Sequence, residues 1–182
     1  MKKLSLIIVA FFIALLSVVQ AQGNFELMNI EVPPNPEDNA ALVNRWFEAK
    51  IEGDIATVKS LTAKNFQIFG VDAQPPMNRE MYLKTWEGYL AQNKEQGLNQ
   101  ASAISFKVKD GEMAGDWVIF TGEAYWTPKP MDERIVSWFC TFAKIEKGKV
   151  VLAYHFQDSL AFLMQAGYTL NPPSWAQAGD KE

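Results

Sequence analysis

The run from Lys147 to Gly167, KGKVVLAYHFQDSLAFLMQAG, constrains the fold more than any other stretch. Lys147-Gly148 is a tight turn between two apolar segments, the pattern of a β-hairpin. Val150 to Gln157 reads as a strand, Asp158 sits where it stops, and Ser159 to Gln165 begins a short helix. Val150, Leu152, Tyr154 and Phe156 alternate, so a regular strand places them on one face, and Asp158 continues that row. A carboxylate on a core-facing row needs hydrogen-bond partners or a chemical role. It also stands where an N-cap belongs.

A two-residue turn fixes the pairing of Ile135–Ile145 with this strand. Ile145 should oppose Val150, Thr141 should oppose Tyr154, Cys140 should oppose His155, and Phe139 should oppose Phe156. His155 then points away from the Asp158 row unless a bulge turns it inward. Both faces of this hairpin are largely apolar, so both need cover. Helices supply one cover, and a second copy of the chain is the expected cover for the other.

The Gly148-Lys149-Val150 turn, Tyr154, Asp158 and Gln165-Ala166-Gly167 resemble the closing strand and helix of the SnoaL-like (polyketide cyclase-like) branch of the nuclear transport factor 2-like superfamily, with Ala166 where Leu is usual. The resemblance implies an α+β cone: three helices from the N-terminal half packed on a strongly curved, mainly antiparallel sheet, plus a short C-terminal helix. It also implies that Asp158 is the general acid or base of a cofactor-independent proton transfer, of cyclase, isomerase or dehydratase type. Two departures oppose particular activities. The Arg and second Asp of the superfamily's epoxide hydrolases have no counterpart in Ser137, Trp138, Phe139, Cys140 and Thr141. No second carboxyl is placed as in its steroid isomerases.

The remaining chain agrees with such a fold. Met1-Lys2-Lys3, an apolar run from Leu4 and the small-residue pattern Val19-Gln20-Ala21 read as a signal peptide over 1–21, cut before Gln22, which implies a periplasmic or secreted protein. The run is short for a membrane span. Prolines at 33, 34 and 36 mark an extended leader over 22–37, and the domain follows over 38–168. Asp38 or Asn39 caps a helix bearing Leu42, Val43, Trp46 and Phe47 on one stripe, and Gly53-Asp54 leads to a second, shorter helix. Asn78 starts a third, carrying Tyr82, Trp86, Tyr89 and Leu90. Strands are expected at 66–71, 103–109, 113–126 and 135–145, with a hairpin turn at Asp110-Gly111. Residues 169–182 form a loose tail.

Composition excludes several classes. The net charge of −4 disfavours nucleic acid as a partner. One His and one Cys provide no metal-ligand spacing, and no glycine-rich loop joins a strand to a helix, so neither metal nor nucleotide cofactor is implied. Cys140 has no disulfide partner and reads as a small apolar residue. What remains is an apolar cavity for a small hydrophobic or aromatic ligand, with Trp46, Tyr82, Trp86, Phe139 and Phe156 as walls. Asp158 is its acid or base, with Tyr154 and, secondarily, His155 assisting. The competing reading is a binding or assembly module whose cone is filled by its own side chains.

Overall fold

A computed structural model describes residues 28–70, 75–169 and 171. The signal segment and nearly all of the tail, Trp175 included, lie outside the described residues. The elements run β1 (Ile30–Glu31), α1 (Pro36–Glu52), α2 (Ile55–Leu61), β2 (Thr62–Phe69), β3 (Met77–Asn78), α3 (Arg79–Gln92), β4 (Asn93–Val108), β5 (Gly115–Pro128), β6 (Ile135–Glu146), β7 (Lys149–Gln157) and α4 (Ser159–Gln165). One seven-stranded sheet has the order β1-β4-β5-β6-β7-β2-β3. Every pairing is antiparallel except that of β2 with β7. The helices α1 to α3 lie in its concave face, as expected of an α+β cone.

Local chemistry sets the boundaries. Pro36 opens α1, slightly ahead of the expected Asp38, because its missing N–H and fixed φ suit a first turn, where Glu37 and Asp38 also favour the dipole. Gly53, at φ 80°, closes the helix and donates to the Ala49 carbonyl. The side chains of Asp54 and Asn78 cap α2 and α3 by accepting from Thr57 and Met81 amides. Lys147 and Gly148 have φ of 51° and 68°, the two left-handed residues of a type I′ turn. Asp110-Gly111, by contrast, belongs to a longer connection before Gly115. In the part of the leader that is described, Ile30 and Glu31 form a short strand that pairs with Val108 and Lys107.

β4 begins at Asn93, well before the expected Ala103. Its first half is too polar to show a buried face in the sequence, yet its backbone pairs with β5 throughout, with irregularities around Lys94 and Asn99. Such bulges add local twist and curl the sheet around α1. Gly122, opposite Ala101, allows the close approach this curl requires, since a Cβ there would run into the Gln100 carbonyl oxygen and the Ala101 Cα.

The core fills the concave side. Val43, Trp46, Phe47 and Ala49 of α1 meet Phe66, Phe120, Phe139 and Ala143 of the sheet, all buried. Phe47 stacks on Phe139 at 5.2 Å between centroids, and Trp46 meets Phe66 edge-on at 5.9 Å. Gly122→Val should lower the unfolding free energy by about 1–3 kcal/mol, measured by urea denaturation, because the clash is with backbone that has no room to give.

Candidate functional site

The pairing of β6 with β7 differs from the expected register by one residue. Ile145 opposes Val150, but Lys144 opposes Leu152, so Val151 is unpaired and the alternation resets after it. Thr141 then faces His155, Phe142 faces Tyr154, Cys140 faces Phe156, and Phe139 faces Gln157. Thus the concave row of β7 is Ala153, His155 and Gln157, and the convex row is Leu152, Tyr154 and Phe156.

This corrects the Asp158 reading. Its side chain is exposed and caps α4, accepting from the Ala161 amide at 2.9 Å. Tyr154 lies on the convex face, stacked on Phe69 at 5.1 Å and Trp117 at 6.3 Å. Phe156, 47 % exposed, is on the same outer face. Trp46 is core, enclosed by Phe47, Phe66 and Tyr82. Of the expected residues, His155, Phe139, Tyr82 and Trp86 do line the hollow.

That hollow has two lobes sharing Trp86, Trp126, His155 and Gln157 as walls. The inner lobe, about 30 Å³, is bounded by Phe47, Lys50, Leu98, Ala124 and Phe139; the outer, about 180 Å³, by Ile68, Met77, Tyr82, Thr85 and Tyr89. Among the described residues, no carboxylate lines either lobe.

Lys50 was not among the sequence-derived candidates. It ends the α1 stripe of Val43 and Phe47 at i, i+4, i+7 spacing, and a lysine in an apolar row was the signal available. Only 5 % exposed, it places Nζ 3.6 Å from the Phe47 ring centroid and 4.4 Å from that of Trp86. The ion pairs among the described residues use Arg45, Lys94, Lys107, Lys109, Arg134 and Lys144, and Lys50 is in none of them. Burial alone lowers its pKa from 10.5 to about 7.

His155 is held by Thr141, with Oγ1 and Nδ1 2.8 Å apart, and stacks on Phe139 at 6.1 Å. Burial, then the Lys50 charge, brings it down to about 4, and the Gln157 side chain acts the other way. The repulsion falls on the imidazole because Lys50 is charged where His155 titrates, whereas His155 is already neutral where Lys50 titrates. The Tyr82 hydroxyl is buried with no partner meeting hydrogen-bond geometry among the described residues; burial pushes its pKa up, and a poorly directed contact with Trp86 offsets this only in part. A buried polar atom left this way is open to a ligand or water. The assembly is therefore a largely apolar chamber that offers an amine, a neutral imidazole, the Gln157 carboxamide and an unsatisfied phenol.

The path of the sheet and the hollow beneath it decide the comparison with solved structures. The chain has the nuclear transport factor 2-like fold. A nuclear transport factor 2-like protein from Burkholderia xenovorans is similar at TM-score 0.55 and 15% identity, over 71% of this chain and 95% of that one. A protein of Shewanella denitrificans described as a candidate SnoaL-like polyketide cyclase gives 0.56 and 10%, over 72% and 98%. A Mycobacterium tuberculosis epoxide hydrolase gives 0.53 and 14%, over 72% and 90%. No family model matches the sequence, and no curated protein does. Likeness at these identities establishes the nuclear transport factor 2-like fold and not a reaction.

The two buried bases make stability depend on pH. Folded Lys50 titrates near 7 and the unfolded side chain near 10.5, so between these values the unfolded chain binds more protons and stability rises with pH. His155, near 4 folded and 6.5 unfolded, likewise makes stability fall as pH drops from 6.5 to 4. Denaturation measured across pH should show both rises. Lys50→Met should abolish the upper one and stabilise the protein below pH 7 by on the order of a few kcal/mol.

Proposed function

We propose that the cone binds a small apolar or aromatic molecule bearing one oxygen-containing polar group, and that Lys50 exchanges a proton with it. The observation that supports this reading is the buried amine: Lys50 faces the cavity between aromatic rings, with no carboxylate among the described residues to balance it. A base with a pKa near 7 is matched to proton transfer at neutral pH. Asp158 has no part in this mechanism, being an exposed cap. His155 is a neutral hydrogen-bonding group beside the ligand, positioned by Thr141.

A second reading has its own support. The inner lobe, at about 30 Å³, holds no more than a water or two, so the cone is filled there by its own rings. The domain would then be a binding or assembly module.

Titration with benzyl alcohol separates the two, because Trp86 and Trp126 are in the walls and report occupancy. Saturable change in tryptophan fluorescence is expected, lost in Gln157→Phe, which fills the shared wall. Asp158→Ala should leave binding within twofold while costing about 1 kcal/mol of stability through the lost cap. A wild-type signal that never saturates would favour the filled cone.

The convex face supports a homodimer. Ile104, Trp138 and Phe156, 62 %, 55 % and 47 % exposed, stand on one side of the sheet with Phe142 and Ile119 between them. The leading segment supports export, and no helix among the described residues is long and apolar enough to cross a membrane. Protein recovered from the periplasm or medium of an expressing host should begin at Gln22 and sediment as a dimer, and Trp138→Glu should sediment as a monomer. An intact Met1 would refute export, and a wild-type monomer at micromolar concentration would refute the dimer.

A further inference from the structure

Resting on the reading of the cone as a ligand site, we propose that its ligand is a small aldehyde or ketone and that Lys50 captures the carbonyl carbon as an imine. Lysine at this position serves neither of the usual ends. A side chain retained only for packing would be better as Leu or Met, and one retained as a cation would meet a carboxylate. Lys50 instead lies among Phe47, Trp86 and His155, at the narrow end of a two-lobed hollow.

The shape of that hollow matches an apolar carbonyl compound. The outer lobe, about 180 Å³, exceeds the roughly 150 Å³ at which a dry apolar cavity accepts benzene. The inner lobe, about 30 Å³, takes a group the size of a carbonyl, close to Lys50. Trp86, Trp126, His155 and Gln157 wall both lobes, which therefore adjoin, so a ring held in the first would direct its C=O toward the second. A carboxylate fits less well. It would pair with the ammonium form of Lys50 and hold the proton there, leaving no free amine to attack a carbonyl.

The groups facing Lys50 leave the amine reactive. His155 and Gln157 come from β7 and Trp86 from α3; on β4, Gln96 donates through Nε2 to the Ile51 carbonyl at 2.9 Å, and its buried Oε1 has no partner among the described residues. Arg45, Glu48 and Glu52 pair with one another on the exposed side of α1. Burial brings Lys50 to about 7, so about half of it is free amine at neutral pH, against roughly three parts in ten thousand for a surface lysine.

The step balances without a redox partner. The Nζ lone pair attacks the carbonyl carbon, the π pair moves to oxygen, and an amine proton passes to that oxygen to give a carbinolamine. The nitrogen lone pair then forms the C=N bond as the C–O bond breaks, and the remaining N–H proton ends on the departing hydroxyl, which leaves as water. Gln157 and His155, the latter braced at Nδ1 by Thr141, are the polar groups placed to hold the oxygen in transit.

The test treats the folded, full-length protein with benzaldehyde and sodium cyanoborohydride, which reduces an imine to a stable benzylamine, and maps labelled lysines by peptide mass spectrometry. Lys50 should label at least tenfold faster than any surface lysine at pH 7, with a rate midpoint near 7, and excess benzyl alcohol should suppress it. In Lys50→Met and Lys50→Arg, only the slow surface labelling should remain. Labelling spread over surface lysines while benzyl alcohol still binds would overturn the imine and leave the ligand site standing. Failure of benzyl alcohol to bind as well would overturn both.

Discussion

One unpaired residue, Val151, decides which side chains of β7 meet the hollow. The strand carries one residue more than β6 between the Ile145–Val150 and Lys144–Leu152 pairs, and each side chain beyond it is exchanged between faces. Imidazole and carboxamide are thereby turned inward, and tyrosine, phenylalanine and the aspartate outward. The bulge also lets the strand bend with the sheet, so the device that curves the wall also selects what lines it.

Against this wall the electrostatics are simple. Lys50 approaches from the end of α1, and the aromatic faces of Phe47 and Trp86 return only part of the hydration its ammonium would have in water. The balance is met by a lowered proton affinity. His155 responds similarly and more fully, because it titrates in the presence of the lysine charge. Two neighbouring bases in an apolar enclosure are both driven toward neutrality, so neither needs a carboxylate.

Much of the architecture was legible because it depends on short-range chemistry. The type I′ turn at Lys147-Gly148, the Asp54 and Asn78 caps, and the aromatic stripe of α1 each have a local cause visible in the residues. The resemblance carried by Gly148, Tyr154, Asp158 and Gln165 led to the right fold, but it tied the chemistry to a position that here is exposed and serves α4 as a cap. A bulge leaves little mark in sequence: Val150-Val151-Leu152 is apolar whether or not Val151 is paired. The first half of β4 was hidden because its pairing is carried by backbone and its side chains are polar. Lys50 was readable in principle, since a charge on the buried stripe of an amphipathic helix departs from the pattern.

The parallel contact between β2 and β7 joins Thr62 to Val150 and Phe69 to Tyr154, across most of the domain. Such distant pairings carry a large loop-closure cost and form late. As the ribosome delivers the chain, α1 emerges early with its lysine, but the strand that encloses it is among the final segments made. Until then the amine is hydrated and an ordinary base; its unusual character is acquired only when the last wall arrives.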